Sequence, residues 1–253
     1  MMIKKHIPNL LTLGNLFCGT LATVFAVEGK FTEVALFVVI GIFFDFLDGF
    51  VARLLKVSGD LGTQLDSLAD MVTSGVVPGI VMFKLIDINN SQSILSFDYH
   101  TDEMSTVSIY ENTFLLIFIG FLLTLGACYR LAKFNLDTRQ TDSFIGLPTP
   151  AMCLFVISLP LIQEYSEVEF AQNLISNNYF LIAITLVLTY LMNAELPLFS
   201  LKFKDASFKK NWIIYLFLLI SLALILLINY LSIPIIITLY VVLSIFKNLT
   251  PKI

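Results

Sequence analysis

The 253 residues are 57% hydrophobic and only 13% charged, with a mean hydropathy of +0.87. That excludes a water-soluble globular domain and describes an all-α polytopic membrane protein. A net charge of −4 is small, and no nucleic-acid partner is expected from it. Cys18, Cys128 and Cys153 lie in apolar runs without CxxC or metal-ligand spacing, so packing is their expected role. His6 and His100 stand alone, and no histidine-based zinc site or nucleophile can be assembled from them.

Apolar runs of spanning length fall at roughly 8–28, 32–55, 63–86, 112–134, 148–163, 178–196, 212–230 and 232–248, about eight helices. The first is long enough to span and lacks an evident small-residue cleavage site, so no cleavable signal peptide is expected. With a cytoplasmic N-terminus, Lys4, Lys5, Arg53, Lys56, Arg130, Lys133, Arg139, Lys202, Lys204, Lys209, Lys210, Lys247 and Lys252 all face the cytoplasm. Lys30 and Lys84 alone fall near the other face, whose loops carry Asp98, Asp102, Glu103, Glu111, Glu164, Glu167 and Glu169. Both termini are therefore expected inside.

The first helix opens IPNLLTLGNLFCG, and Asn9, Thr12 and Asn15 recur every three residues along one side. Polar residues at that spacing either bond to a neighbouring helix or line a ligand pocket. The second and third helices carry DFLDGFVARLLKVSGDLGTQLDSLAD, Asp45 to Asp70. Asp45, Asp48, Gly49 and Ala52 share one helical face, and beyond a short turn at Ser58-Gly59-Asp60 so do Gly62, Asp66 and Asp70. Two carboxylates from each helix can converge on one point. Four acids at membrane depth need compensation, and oxygen-only ligands suit hard divalent cations such as Mg²⁺ or Mn²⁺. The N-terminus of the third helix near Gly62 favours a phosphate, and Arg53 can add charge to the same anion.

The third helix continues as MVTSGVVPG, where Thr73 and Ser74 either contact ligand or bond back to their own helix, and Pro78 predicts a kink. Residues 89–111 read as an external loop without chemistry. In YRLAKFNLDTRQTDSFIGLPTP, residues 129–150, Arg130 and Lys133 share a face and suggest a basic pocket for phosphate or carboxylate. Arg139 reads as a headgroup anchor, and Trp212 beside Lys209 and Lys210 as an interfacial one.

The run Asp45-x-x-Asp48-Gly49-x-x-Ala52-Arg53, then Gly62-x-x-x-Asp66-x-x-x-Asp70, resembles the signature of the CDP-alcohol phosphotransferases position for position. PNLLTLGNLFCG, RLAKFN and FIGLPTP resemble the bacterial and archaeal phosphatidylserine synthase branch, with Asn15 where glycerol-phosphate-using relatives tend to have Arg. The resemblance implies a single membrane domain (1–253), with a six-helix catalytic core over 7–196 and two additional helices over 212–248. It implies an inner-membrane homodimer with a cytoplasmic site, using CDP-diacylglycerol, L-serine and two divalent cations to make phosphatidylserine and CMP. It implies Asp45, Asp48 and Asp66 as metal ligands, with Asp70 completing the metal site and acting as general base. Gly49, Ala52 and Gly62 would make space for the nucleotide, with Arg53 holding the motif or the phosphates. Asn9, Thr12 and Asn15 would line the donor pocket, and Arg130 and Lys133 would hold lipid phosphate or serine carboxylate. The rival readings are another acceptor (glycerol 3-phosphate, inositol phosphate or choline) and a cation transporter built on the intramembrane acids.

Overall fold

Apolar segments of this length fold as helices because a lipid environment offers no partner for a free backbone N–H or C=O. The computed structural model describes residues 2–57, 59–90, 116–137, 144–199 and 208–249. Ser58, the loop acids Asp98, Asp102, Glu103 and Glu111, and the basic residues Arg139, Lys202, Lys204 and Lys252 lie outside the described residues, as does most of the expected external loop.

Helix α1 (Met2–Glu28) and helix α2 (Phe31–Leu55) form an antiparallel hairpin. Phe25 stacks on Phe37 at 5.4 Å near its turn. There the exposed Glu28 and Lys30 pair at 2.7 Å, and the glutamate's bond and charge raise the Lys30 pKa. Helix α2 ends at Lys56, which adopts a left-handed φ of 53° while Val57 N–H closes on the Ala52 carbonyl at 3.0 Å.

Helix α3 (Asp60–Asp70) continues through a π-helical turn (Met71–Val76) into helix α4 (Val77–Asn89), a 30-residue rod from Asp60 to Asn89. The helix widens into this turn just before Pro78. Proline has no N–H for the preceding turn, and donors from other helices serve the loosened carbonyls. The Thr124 hydroxyl donates to the Gly75 carbonyl at 2.9 Å, and the Cys153 thiol donates to the Thr73 carbonyl at 3.4 Å.

A 3₁₀ turn (Phe118–Phe121) leads into helix α5 (Leu122–Leu136). Helix α6 (Thr149–Tyr165) is buried along almost its whole length and, with α4, forms the centre of the core. Helix α7 (Glu169–Ile175) and helix α8 (Asn178–Asn193) meet at a bend of 77°. The Asn89 amide donates to the Ile175 carbonyl at 2.9 Å, and the Asn178 amide to Asn90 Oδ1 at 2.7 Å, tying that bend to the end of α4. A two-residue antiparallel bridge, β1 (Phe144–Ile145) with β2 (Pro197–Leu198), joins the loop before α6 to the segment after α8. It is the one extended pairing among the described residues.

Helix α9 (Phe208–Ile228) and helix α10 (Ser232–Leu249) fold back on each other at a 3₁₀ turn (Asn229–Leu231). Phe217 and Tyr240 lie 5.8 Å apart by ring centroid; a straight helix would hold them about 34 Å apart at ~1.5 Å per residue. By length and apolarity, four described stretches can cross a membrane: His6–Glu28, Phe31–Leu55, Asp60–Asn89 and Ile214–Asn248, the last being this hairpin. The bent α7–α8 pair is a fifth candidate. Helix α6 is apolar but only 17 residues long, and the expected fourth span is described only from residue 116. The architecture is that of an all-α polytopic membrane protein, and the exact count of eight spans is not reached among the described residues.

Candidate active site

Because α1, α2 and α3 alternate in direction, the start of α1, the end of α2 and the start of α3 lie at the same end of the bundle. The end of α5 joins them there, with the Ser67 hydroxyl on α3 meeting the Asn135 side chain on α5 at 2.9 Å. The signature residues sit on these ends. One oxygen from each of Asp45, Asp48 and Asp66 lies within 4.8 Å of the others. The Asp48 side chain is buried and receives a hydrogen bond from the Thr12 hydroxyl, which is also 3.1 Å from the Pro8 carbonyl. When all three are ionised, carboxylates this close repel one another by roughly 3 kcal/mol per pair at an effective dielectric constant of about 20. Such an oxygen-only cluster fits a hard divalent cation, which would offset the repulsion.

Asp70 stands apart from this trio, one turn further along α3. Its Oδ1 accepts a hydrogen bond of 3.1 Å from Nδ2 of Asn15. Asn15 is fully buried, and its Oδ1 accepts a 2.8 Å bond from the Thr73 hydroxyl. The face shared by Asp66 and Asp70 is thus divided between two tasks, a three-carboxylate cluster and a singly held carboxylate beside it.

Outside the trio lies a cleft of about 570 Å³, whose lining includes Asn9, Thr12, Asp48, Gly49, Ala52, Gly62 and Asp66. A methyl group added at Gly62 would lie 3.5 Å from Asn9 Oδ1, and at Gly49 it would lie 3.5 Å from the Arg53 guanidinium. The protein itself does not fill the space these glycines leave. Arg53 is exposed, with its guanidinium laid back along α2 toward Gly49. His6, Asp60 and Thr63 also line the cleft. Sequence reasoning missed them; the signal for Thr63 was its place beside Gly62, and His6 gave none, standing alone in the chain.

The polar stripe of α1 does two jobs. Asn9 and Thr12 line the cleft, whereas Asn15 lies a turn deeper and bonds to Asp70 and Thr73. Thr73 bonds neither to a cleft nor back to its own helix, but across to α1.

The two basic residues of α5 also part company. Arg130 is buried, near enough to Asp70 for their charges to interact, with its guanidinium 5.9 Å from the Phe134 ring centroid. Its Nε has no hydrogen-bond partner. Lys133 points elsewhere, its Nζ 3.4 Å from a Glu195 carboxylate oxygen, with both side chains substantially exposed. Three residues on a helix span 300°, so a shared face still separates two side chains by 60°, enough to send one inward and one to the rim. The structure therefore brings Arg130 to Asp70 and leaves Lys133 at the periphery.

Residues 5–191 match the family model described as CDP-alcohol phosphatidyltransferase. The chain is 32% identical over 156 residues to the CDP-diacylglycerol–serine O-phosphatidyltransferase of Bacillus subtilis (strain 168), a match covering 61% of this chain and 76% of that one. It is 29% identical over 159 residues to the protein of the same name from Helicobacter pylori (strain J99), covering 62% of this chain and 58% of the relative. It is 28% identical over 168 residues to an archaetidylserine synthase of Methanothermobacter thermautotrophicus, covering 65% and 62%. The match thus spans less than two thirds of the last two relatives. The α9–α10 hairpin lies beyond the residues that match the family model.

Proposed function

We propose that this chain, which belongs to the CDP-alcohol phosphatidyltransferase family, transfers the phosphatidyl group of CDP-diacylglycerol to the hydroxyl of L-serine and releases CMP. The observation that carries the reading is the convergence of Asp45, Asp48 and Asp66 at the wall of an open cleft in a membrane protein. The choice of serine is supported by the names of the relatives from Bacillus and Helicobacter.

Asp45, Asp48 and Asp66, with Asp70 completing the set, would hold two divalent cations (Mg²⁺ or Mn²⁺), whose chemistry when bound is to neutralise the diphosphate and the charge developing on CMP. Asp70 takes the proton of the serine hydroxyl as that oxygen bonds to the lipid-linked phosphorus. The bond from phosphorus to the bridging oxygen breaks, and CMP departs with its electron pair. Gly49, Ala52 and Gly62 leave room for the nucleotide beside Asn9 and Thr12, with the Arg53 guanidinium next to Gly49. Asn15 serves the pocket from below, through Asp70. Arg130, buried and with an unpartnered Nε, holds the lipid phosphate or the serine carboxylate, and Lys133 adds charge further out.

The excess of Lys and Arg on one set of loops supports an inner-membrane protein with both termini and the active site on the cytoplasmic side. In this reading 7–196 is the catalytic core, 212–248 an appended helix pair, and the working unit a homodimer. The test is CMP release by purified protein in detergent with CDP-diacylglycerol, Mn²⁺ or Mg²⁺, and one alcohol at a time. Release with serine alone is expected. Release only with glycerol 3-phosphate, inositol phosphate or choline overturns the acceptor; no release and no CMP binding returns the cation transporter.

A further inference from the structure

We infer that Thr73 is a positioning residue for the reaction, acting through Asn15 to fix the carboxylate of Asp70. The inference rests on the family chemistry proposed above but not on which alcohol is the acceptor. An ionised carboxylate only accepts hydrogen bonds, so Asn15 must turn its amide nitrogen, not its oxygen, toward Asp70. With that orientation set by the carboxylate, the Thr73 hydroxyl donates to Asn15 Oδ1 at 2.8 Å and lies 3.2 Å from the Asn15 backbone carbonyl, holding the amide in place from the other side. Asn15 and Thr73 are both fully buried, so no water competes for either group.

The relay is also clamped on its flanks. On the α2 side, a methyl group at Gly41 would lie 2.9 Å from Asn15 Oδ1 and 3.0 Å from Thr73 Cγ2, so only glycine lets α2 close over the pair. On the α6 side, the Cys153 thiol holds the Thr73 carbonyl. Thr73 lies within the π-helical turn that directly follows Asp70, so base and anchor belong to one continuous helical segment. The result is a carboxylate whose Oδ1 is engaged by Asn15, which restrains its orientation without any contact between Thr73 and substrate.

The test uses Thr73→Val, which keeps the shape and removes the donor, with Thr73→Ser and Asn15→Leu. Steady-state CMP release is measured with whichever alcohol the wild type accepts, alongside Mn²⁺ binding by the free-ion paramagnetic signal and thermal unfolding. Thr73→Val is expected to lower kcat about tenfold or more with KM for CDP-diacylglycerol within twofold, and Thr73→Ser to restore it. Mn²⁺ affinity is expected to fall by a smaller factor than kcat, because Asp45, Asp48 and Asp66 keep their places and only Asp70, which completes the set, is loosened. The double variant Thr73→Val/Asn15→Leu is expected to be no slower than Asn15→Leu alone, because Thr73 acts only through Asn15. Additive losses, equal impairment in Thr73→Ser, or unchanged kcat in Thr73→Val each overturn the inference. So does a Thr73→Val protein that fails to fold while Thr73→Ser folds, since that assigns the hydroxyl a structural role. A wild type active only with an alcohol other than serine overturns the acceptor assignment and leaves this inference to stand or fall on its own.

Discussion

Replacing Asp66 by Asn should make the metal-free protein more stable while abolishing its activity. The carboxylates of Asp45, Asp48 and Asp66 come within 4.8 Å of one another. At that separation and an effective dielectric constant of about 20, each pair repels by roughly 3 kcal/mol. At a pH high enough to ionise all three, removing one charge deletes two of the three repulsions. Asp45 and Asp66 are only partly buried, and solvent and counter-ions screen much of the gain. A net stabilisation of about 1–2 kcal/mol remains, worth ~2–4 °C per kcal/mol in a chain of this size. With Mn²⁺ the order should reverse, because the wild type gains about 2.7 kcal/mol at a hundredfold excess over Kd and the variant loses that binding. The assay is thermal unfolding in detergent, followed by intrinsic fluorescence in EDTA and again across a Mn²⁺ titration, with CMP release alongside. Asp66→Asn that melts below the wild type in EDTA, or shifts equally with Mn²⁺, or retains full activity, refutes the reasoning.

Gly62→Ala should leave melting unchanged or slightly raised, since the added methyl meets only Asn9 Oδ1 at 3.5 Å and helical glycine costs ~0.5–1 kcal/mol; KM for CDP-diacylglycerol should nonetheless rise about tenfold in steady-state kinetics. Arg130→Gln should cost a hundredfold or more in kcat/KM, whereas Lys133→Gln should cost less than about fivefold, because its exposed ion pair with Glu195 is worth at most ~1 kcal/mol; comparable losses in the two variants would contradict the separation of the pair. Lys56→Gly should raise the melting temperature by a few degrees, relieving a left-handed lysine at the end of α2 for about 1 kcal/mol.

The sequence was most legible where chemistry and periodicity coincide. Asp45 and Asp48, three apart, and Gly62 and Asp66, four apart, could be placed on facing helix surfaces because intrahelical spacing is set by 3.6 residues per turn. The short connection at Lys56–Asp60 then forced the two faces together, and the cluster of Asp45, Asp48 and Asp66 follows. The spans followed from apolar length alone where the helices are long, and became ambiguous where α6 is short or where α9 turns into α10 through three residues.

What spacing does not encode is the rotation of one helix against another, and the site depends on it. Asn9, Thr12 and Asn15 recur every three residues, but each step of three falls 60° short of a full turn, so the stripe winds around α1. Its upper part reaches the cleft while Asn15 meets Asp70. The same drift separates Arg130 from Lys133. The π-helical turn compounds it: after Met71, the i, i+4 rule that carries Gly62 to Asp66 to Asp70 no longer holds, and counting on to Ser74 selects the wrong neighbour. Ser74 Oγ is buried without a partner, while Thr73 makes the bond to α1. Proline at 78 was the visible cause, but how the missing N–H is accommodated is decided by donors elsewhere. Here Thr124 and Cys153 supply them. The wider turn is stable because α5 and α6 satisfy it, and through it the two helices that carry no signature residue fix the direction of the last signature carboxylate.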